Sequence, residues 1–89
     1  MNKIALINGK YEGQTLNIMI TNDKVSGLGY IPEDKGEEIK VYDLKGLNIV
    51  PKEGEKIILF KKLNAVFVDA KENKVKGEVV EGQIKFIDL

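Results

Sequence analysis

The amino acids that most often perform catalysis are almost missing from this chain of 89 residues. It has no histidine and no cysteine, and Ser26 is its only serine. A serine nucleophile needs a neighbouring base, and a hydrolytic metal site needs several ligands that converge on one point. Lone carboxylates such as Asp43 or Asp69 do not rebuild such a site. We therefore expect no catalytic residue, no metal site and no cofactor.

The charged and aromatic residues are better explained by solvation and packing than by ligand binding. Lys61-Lys62 has the character of an exposed pair beside a turn, because solvated charge is the ordinary state of lysine. The three tyrosines and three phenylalanines lack the basic groove that base stacking requires, so most are expected in the core. An acidic cluster on the longest loop lacks the spacing of a calcium-binding loop. Its members are Glu33, Asp34, Glu37 and Glu38.

Charge and hydropathy argue against several classes of partner. Fourteen acidic residues balance 14 basic ones, and all of the basic residues are lysine. Lysine lacks the bidentate fork with which arginine binds phosphate, and a neutral chain has no net field to attract nucleic acid or anionic lipid. No apolar run approaches the roughly 20 residues of a membrane helix. We expect a cytoplasmic protein with no nucleic-acid, membrane or small-molecule ligand.

Short apolar segments separated by turn residues predict an all-β domain. Nine or ten short strands follow one another closely, and no window holds apolar residues at helical spacing. The expected fold is a two-sheet β-sandwich built from N- and C-terminal strands, and the alternative is a small closed β-barrel. Asn8-Gly9 predicts a tight hairpin turn. Residues 31–38 are expected to form a loop, and the apolar residues 57–60 a buried strand.

An internal similarity connects the two halves of the sequence. Residues 16–27, LNIMITNDKVSG, align with residues 63–77, LNAVFVDAKENKVKG, and each segment has Leu-Asn, an apolar strand, a polar turn and Lys-Val. Two unrelated hairpins of similar composition would look alike in this way. Two related hairpins paired in one sandwich would also produce the pattern, and the residues alone leave both interpretations open.

Several segments occur in a recognisable order: INGK at 7–10, LNIMI at 16–20, DKV at 23–25, LG at 28–29 and YDLKGLNIVP at 42–51. This order resembles the small β domain of the metal-dependent amidohydrolase superfamily, which includes dihydroorotases, deaminases and N-acetylglucosamine-6-phosphate deacetylases. NAVFVD at 64–69 and the segment 75–85 are similar to the strands with which that domain resumes after the catalytic barrel. The resemblance implies a composite β-sandwich made from both ends of the chain.

The catalytic (β/α)8 barrel of that superfamily is absent. In the superfamily, Gly-Phe-Ile-Asp-x-His-x-His follows the proline, begins the barrel and supplies two metal ligands, whereas KEGEK follows Pro51 here. No metal ligand carries over, so the chain alone is expected not to be an enzyme. We expect one domain over residues 1–89, with an N-terminal half at 1–51, a connector at 52–60 and a C-terminal half at 61–89.

The surface that would face the missing barrel is the expected place for an interaction. Exposed apolar patches tend to be covered by a partner or by self-association. This predicts a structural or protein-interaction module, most simply a homodimer. One alternative is a monomer in which residues 52–60 fold back as a cap. Another is a fragment or split subunit of a deacetylase-like or dihydroorotase-like amidohydrolase, whose barrel lies on another chain or is lost. The candidate surface residues are Ile49, Val50, Ile57, Ile58 and Phe60.

Overall fold

The structure, a computed structural model, describes residues 3–29, 39–53 and 56–86. Eight β-strands and no helix are present in these ranges, so the all-β prediction is confirmed. The predicted loop at 31–38 and its acidic cluster, with Glu33, Asp34, Glu37 and Glu38, lie outside the described residues. The strands are β1 (Lys3–Tyr11), β2 (Gln14–Thr21), β3 (Lys24–Leu28), β4 (Ile39–Asp43), β5 (Asn48–Pro51), β6 (Ala65–Asp69), β7 (Lys74–Val80) and β8 (Gln83–Phe86).

The eight strands form one hydrogen-bonded sheet in the order β3-β2-β1-β5-β6-β7-β8, and β4 also pairs with β1. β1 is parallel to β4 and to β5, and the remaining pairs are antiparallel. β3 and β8, at the two ends of this order, do not pair with each other. The described sheet is therefore open, and the closed-barrel alternative is wrong.

β1 continues through Asn8-Gly9, where the sequence predicts a hairpin turn. Asn8 adopts the positive φ that this dipeptide favours, at 59°, but the residue belongs to a β-bulge. Two residues of β1 face the single residue Asn17 of β2, and the Asn17 Oδ1 accepts the Asn8 amide proton at 2.9 Å. The hairpin prediction is wrong because the chain reverses later, at Glu12-Gly13, whose φ angles of 52° and 81° suit a two-residue turn.

The bend in β1 lets β4 and β5 follow it in succession. β4 pairs with residues 3–7 of β1, and β5 pairs with it at Lys10. Between these strands, the Asp43 carboxylate accepts the side-chain amide of Asn8 at 3.2 Å and the backbone amide of Lys45 at 2.9 Å. The Asn8 carbonyl accepts the Gly46 amide at 2.8 Å. Hydrogen bonds thus connect the bulge in β1 to the turn between β4 and β5.

One apolar core includes residues from both halves of the chain. Phe67 is its largest fully buried side chain. The Phe86 ring lies 6.0 Å from that of Phe67 and 5.5 Å from that of Tyr42, which extends the core toward β4. No polar or charged side chain among the described residues is buried. The buried cluster comprises Ile4, Leu6, Ile18, Ile20, Val25, Leu44, Ile49, Leu63, Ala65, Phe67 and Val79.

Residues 57–60 lead into a turn and do not form the predicted buried strand. The Lys61 amide donates to the Ile58 carbonyl at 3.3 Å, which closes a β-turn. The prediction is wrong because β5 and β6 are antiparallel, and the chain must reverse between them. β1 is also a single strand where the hairpin prediction requires two, so the described ranges contain eight strands in place of nine or ten.

The carboxyl group of Asp43 gives this fold a pH dependence. The hydrogen bond from the Lys45 backbone and the one from the Asn8 side chain lower the pKa of Asp43 below its ordinary 3.8. Desolvation opposes them, and the Lys45 charge adds a smaller lowering effect. A lowered pKa stabilises the folded chain above the unfolded pKa, and this contribution is lost as the pH falls through the folded pKa.

We predict that the wild type loses stability more steeply than Asp43→Asn as the pH falls below about 4. Asparagine retains an oxygen acceptor at this position and cannot titrate, which makes it the matched reference. Urea denaturation at a series of pH values measures the difference. Parallel stability curves for the two proteins would contradict the role assigned to Asp43.

Candidate functional site

Three consecutive apolar side chains are exposed in the turn that precedes β6. The exposed fractions are 49% for Ile58, 43% for Leu59 and 73% for Phe60, and the value for Phe60 is the highest of the large apolar side chains described. We call these three residues the apolar turn. Single exposed apolar residues are ordinary on protein surfaces, whereas contiguous groups mark interaction sites.

The backbone of Phe60 is strained. Its φ of 67° lies in the left-handed region, which costs a non-glycine residue about 1–2 kcal/mol. Phe60 is the third residue of the β-turn, a position where glycine or asparagine usually supplies a positive φ. A bulky aromatic residue remains in this conformation only where its surroundings impose it, and such strain is concentrated at functional positions.

Hydrogen bonds to β3 impose the conformation of the apolar turn. The Phe60 amide donates to the Val25 carbonyl at 2.7 Å, and the Val25 amide donates to the Lys61 carbonyl at 2.9 Å. Lys62 forms a β-bridge with Lys24 at the start of β3. Val25 is 1% exposed and belongs to the core. The apolar turn is therefore fixed to a buried part of the fold.

The β7–β8 turn fixes the segment that follows the apolar turn. The Gly82 amide donates to the Leu63 carbonyl at 3.0 Å, and the Glu81 amide donates to Asn64 Oδ1 at 2.8 Å. Gly82 lies so close to the β2–β3 turn that a Cβ atom on it would be 2.6 Å from the Asp23 Cα. Three turns thus meet at this end of the domain, with the apolar turn projecting from them.

The structure separates the five residues predicted to form the interaction surface. Ile58 and Phe60 are exposed together in the apolar turn. Ile57 is half-buried and packs against the core. Val50 is 44% exposed, but it lies on a different element, β5. Ile49 is only 3% exposed, and its assignment to the surface is wrong because β5 directs it into the core.

Leu59 belongs to the surface although sequence reasoning did not include it. The apolar run at 57–60 predicted a buried strand, which gives no reason to expect three consecutive side chains in solvent. In the turn, Leu59 projects to solvent beside its two neighbours. The charged residues KK that follow at 61–62 are consistent with a surface segment but do not specify a turn.

The surroundings of the apolar turn are polar. Lys61 and Lys62 are both exposed, which confirms the expectation of a solvated pair. Lys62 Nζ lies 4.0 Å from Glu81 Oε2, and the two side chains are 49% and 60% exposed. Ion pairs this exposed add little stability. An apolar centre with a charged, hydrated rim is the composition of protein–protein interfaces.

The side chains that could act as a nucleophile or as metal ligands are hydrogen-bonded within the fold or lie apart from one another. The Ser26 hydroxyl lies 2.8 Å from that of Thr21 and donates to the Met19 carbonyl at 3.3 Å, inside the β2–β3 hairpin. In the described ranges, no three His, Cys, Asp or Glu side chains come together as metal ligands. No helix long and apolar enough to cross a membrane occurs among these residues either.

Comparison of the chain with protein-family models, with curated proteins and with solved structures finds no match in any of the three. The resemblance to the amidohydrolase superfamily therefore depends on the order of the sequence segments. The functional assignment depends on the geometry of the apolar turn.

We predict that Gly82→Ala is more destabilising than Gly13→Ala. Both glycines have a positive φ, 78° and 81°, so both substitutions carry the same left-handed strain of about 1–2 kcal/mol. A Cβ at Gly13 meets no atom within 4 Å, whereas one at Gly82 collides with the Asp23 backbone. The additional cost at Gly82 should be about 1–3 kcal/mol by urea denaturation. Equal losses would mean that the three turns do not pack as described.

Proposed function

We propose that the chain is a non-catalytic β domain that acts as a protein-interaction module, with the apolar turn as its contact surface. The observation that carries this proposal is the run of three exposed apolar side chains, which includes the strained Phe60. A partner that buries one such large side chain gains about 1.5–3 kcal/mol. The absence of histidine and cysteine from the sequence supports a non-catalytic role, and the absence of cysteine also fits a cytoplasmic protein.

A second copy of the chain is the simplest partner. The apolar turn alone is smaller than the roughly 800 Å² that each partner buries in a stable interface. β3 lies next to it and supplies further surface, since Phe60 bonds to Val25 and Leu28 on the same strand is 41% exposed. β3 is also the terminal strand of the sheet order. A two-fold dimer would bring the apolar turn and the exposed Leu28 of both copies together.

The finer arrangement that we propose for the fold is a two-layer sandwich within the one sheet. The bulge at Asn8 bends β1, and β4 and β5 follow its two parts in turn. The core cluster combines residues of β1 to β3 with residues of β5 to β7. Both features support a sheet folded so that its N- and C-terminal strands face each other across one core.

A relation to the amidohydrolase β domain is part of the same proposal. The apolar turn lies in the connector at 52–60, where the resemblance puts the missing barrel. This position also favours the second candidate function, a split amidohydrolase subunit whose barrel is on another chain. An adjacent reading frame that encodes a barrel with histidine ligands would favour that candidate, and its absence would favour the independent module.

We predict concentration-dependent dimerisation of the wild type that Phe60→Gly weakens by at least tenfold. Glycine adopts the φ of 67° without strain, so the variant keeps the turn while it removes the aromatic side chain. A tenfold change corresponds to about 1.4 kcal/mol, which is less than the value of one buried phenylalanine. Size-exclusion chromatography with light scattering over a concentration series measures the dimer fraction.

The matched control is Val75→Thr, because Val75 is also an exposed apolar residue, at 44%, but lies on β7. This variant should dimerise like the wild type. A wild type that remains monomeric at every concentration, or a dimer equally weakened by both substitutions, would remove the support for this surface.

A further inference from the structure

A groove lies at the end of β6 opposite to the apolar turn, where β1 and β5 meet. It consists of two adjoining depressions of about 510 and 550 Å³, which share Lys10, Gly13, Asn48 and Ala70 in their walls. Small-molecule sites in proteins usually measure about 300–1,000 Å³. The groove therefore has the size of a site for a small organic ligand.

One part of the groove is cationic. Lys10, Lys45 and Lys71 line it, and Asp69 is the one carboxylate in this wall. These four side chains leave two positive charges. None of the three lysines forms an ion pair with a residue that the structure describes. Lys45 acts on Asp43 through its charge, but without such a pair.

The single carboxylate of this part is already engaged. Asp69 Oδ1 accepts the amide of Lys71 at 2.9 Å and that of Glu72 at 3.3 Å. It therefore holds the β6–β7 turn, and the turn carries Lys71 to the groove. The Lys45-Gly46 turn carries the second lysine, and the Asp43 carboxylate holds that turn through the Lys45 amide. Aspartate side chains thus fix the backbone that carries Lys45 and Lys71, whereas Lys10 lies on β1.

The other part of the groove is mainly apolar. Tyr11, Pro51 and Val68 line it together with the exposed Val50, and Glu12 and Asn73 are polar residues in the same wall. The two parts are continuous through the shared residues, so a ligand can contact both at once. An anionic group at one end and an apolar body at the other would match the two walls.

We propose that this groove binds a small organic phosphate, with the phosphate among the three lysines and an aromatic or aliphatic body against Tyr11, Pro51 and Val68. A phosphate monoester carries a charge of about −1.5 to −2 near pH 7. The cationic part of the groove attracts it, because three lysines there face the single carboxylate of Asp69, and Glu12 lies in the other part. Lysine acts as a point charge and does not impose bidentate geometry. This inference goes beyond the interaction through the apolar turn and does not depend on it.

Titration of the full ¹⁵N-labelled chain with phenyl phosphate tests the proposal. The backbone amides of Gly13, Gly46 and Lys71 should shift along one common binding curve, while those of Phe60 and Lys61 stay constant. Inorganic phosphate should bind several-fold more weakly because it lacks the apolar body, and neutral benzyl alcohol should produce no such curve. Addition of salt should weaken the binding, since the lysines are open to solvent.

Charge-removing variants locate the phosphate. Lys45→Gln and Lys71→Gln should each weaken phenyl phosphate binding by about three- to fivefold, the range of exposed charge interactions. Lys62→Gln is the matched control at the other end of the domain and should have no effect. The proposal is overturned by the absence of shifts up to about 10 mM ligand, by shifts centred on the apolar turn, or by an equal loss in the Lys62 variant.

Discussion

The rest of the fold depends on the bulge at Asn8-Gly9 in the middle of β1. The Asn8 amide is satisfied by Asn17, its carbonyl accepts the Gly46 amide, and its side chain donates to Asp43. A Cβ on the neighbouring Gly9 would lie 2.7 Å from Ile49 Cδ1, so a side chain there would require the buried Ile49 to shift. These contacts let one strand pair first with β4 and then with β5. β5 then pairs with β6 of the C-terminal half, so the position that the bulge gives to β5 brings the two halves into one sheet.

The β2–β3 and β6–β7 hairpins share a backbone feature that their sequence similarity indicates. In each, one additional residue follows Lys-Val in the second strand: Ser26 separates Val25 from Gly27, and Lys76 separates Val75 from Gly77. The buried faces nevertheless differ, because Val25 is 1% exposed and Val75 is 44% exposed. Similar hairpins at different places in one sheet can bury different faces. The two interpretations of the similarity, common origin and common composition, both remain compatible with this arrangement.

Strand positions could be predicted where short apolar segments are bounded by turn residues, as for IKVYD in β4 and KVKGEVV in β7. Prediction failed where the same local signal serves two structures. Asn-Gly supplies a positive φ to a bulge as readily as to a hairpin, and an apolar run can be exposed when a turn is needed. The left-handed Phe60 has no sequence signal at all, because long-range hydrogen bonds to β3 impose it. The groove lysines come from β1 and from two separate turns, so only the folded chain brings them together.

The apolar turn and the groove are stabilised by different contacts. The apolar turn is anchored by backbone bonds to the core strand β3, whereas the lysine groove is built by turns that Asp43 and Asp69 cap. We propose that two copies of the chain associate through the apolar turn. Two-dimensional ¹H–¹⁵N spectra of the wild type over a concentration series test it most directly. The account predicts concentration-dependent shifts or broadening at residues 58–61 and along β3, with residues 70–73 unchanged. Spectra that do not change with concentration, or changes confined to residues 70–73, would contradict it.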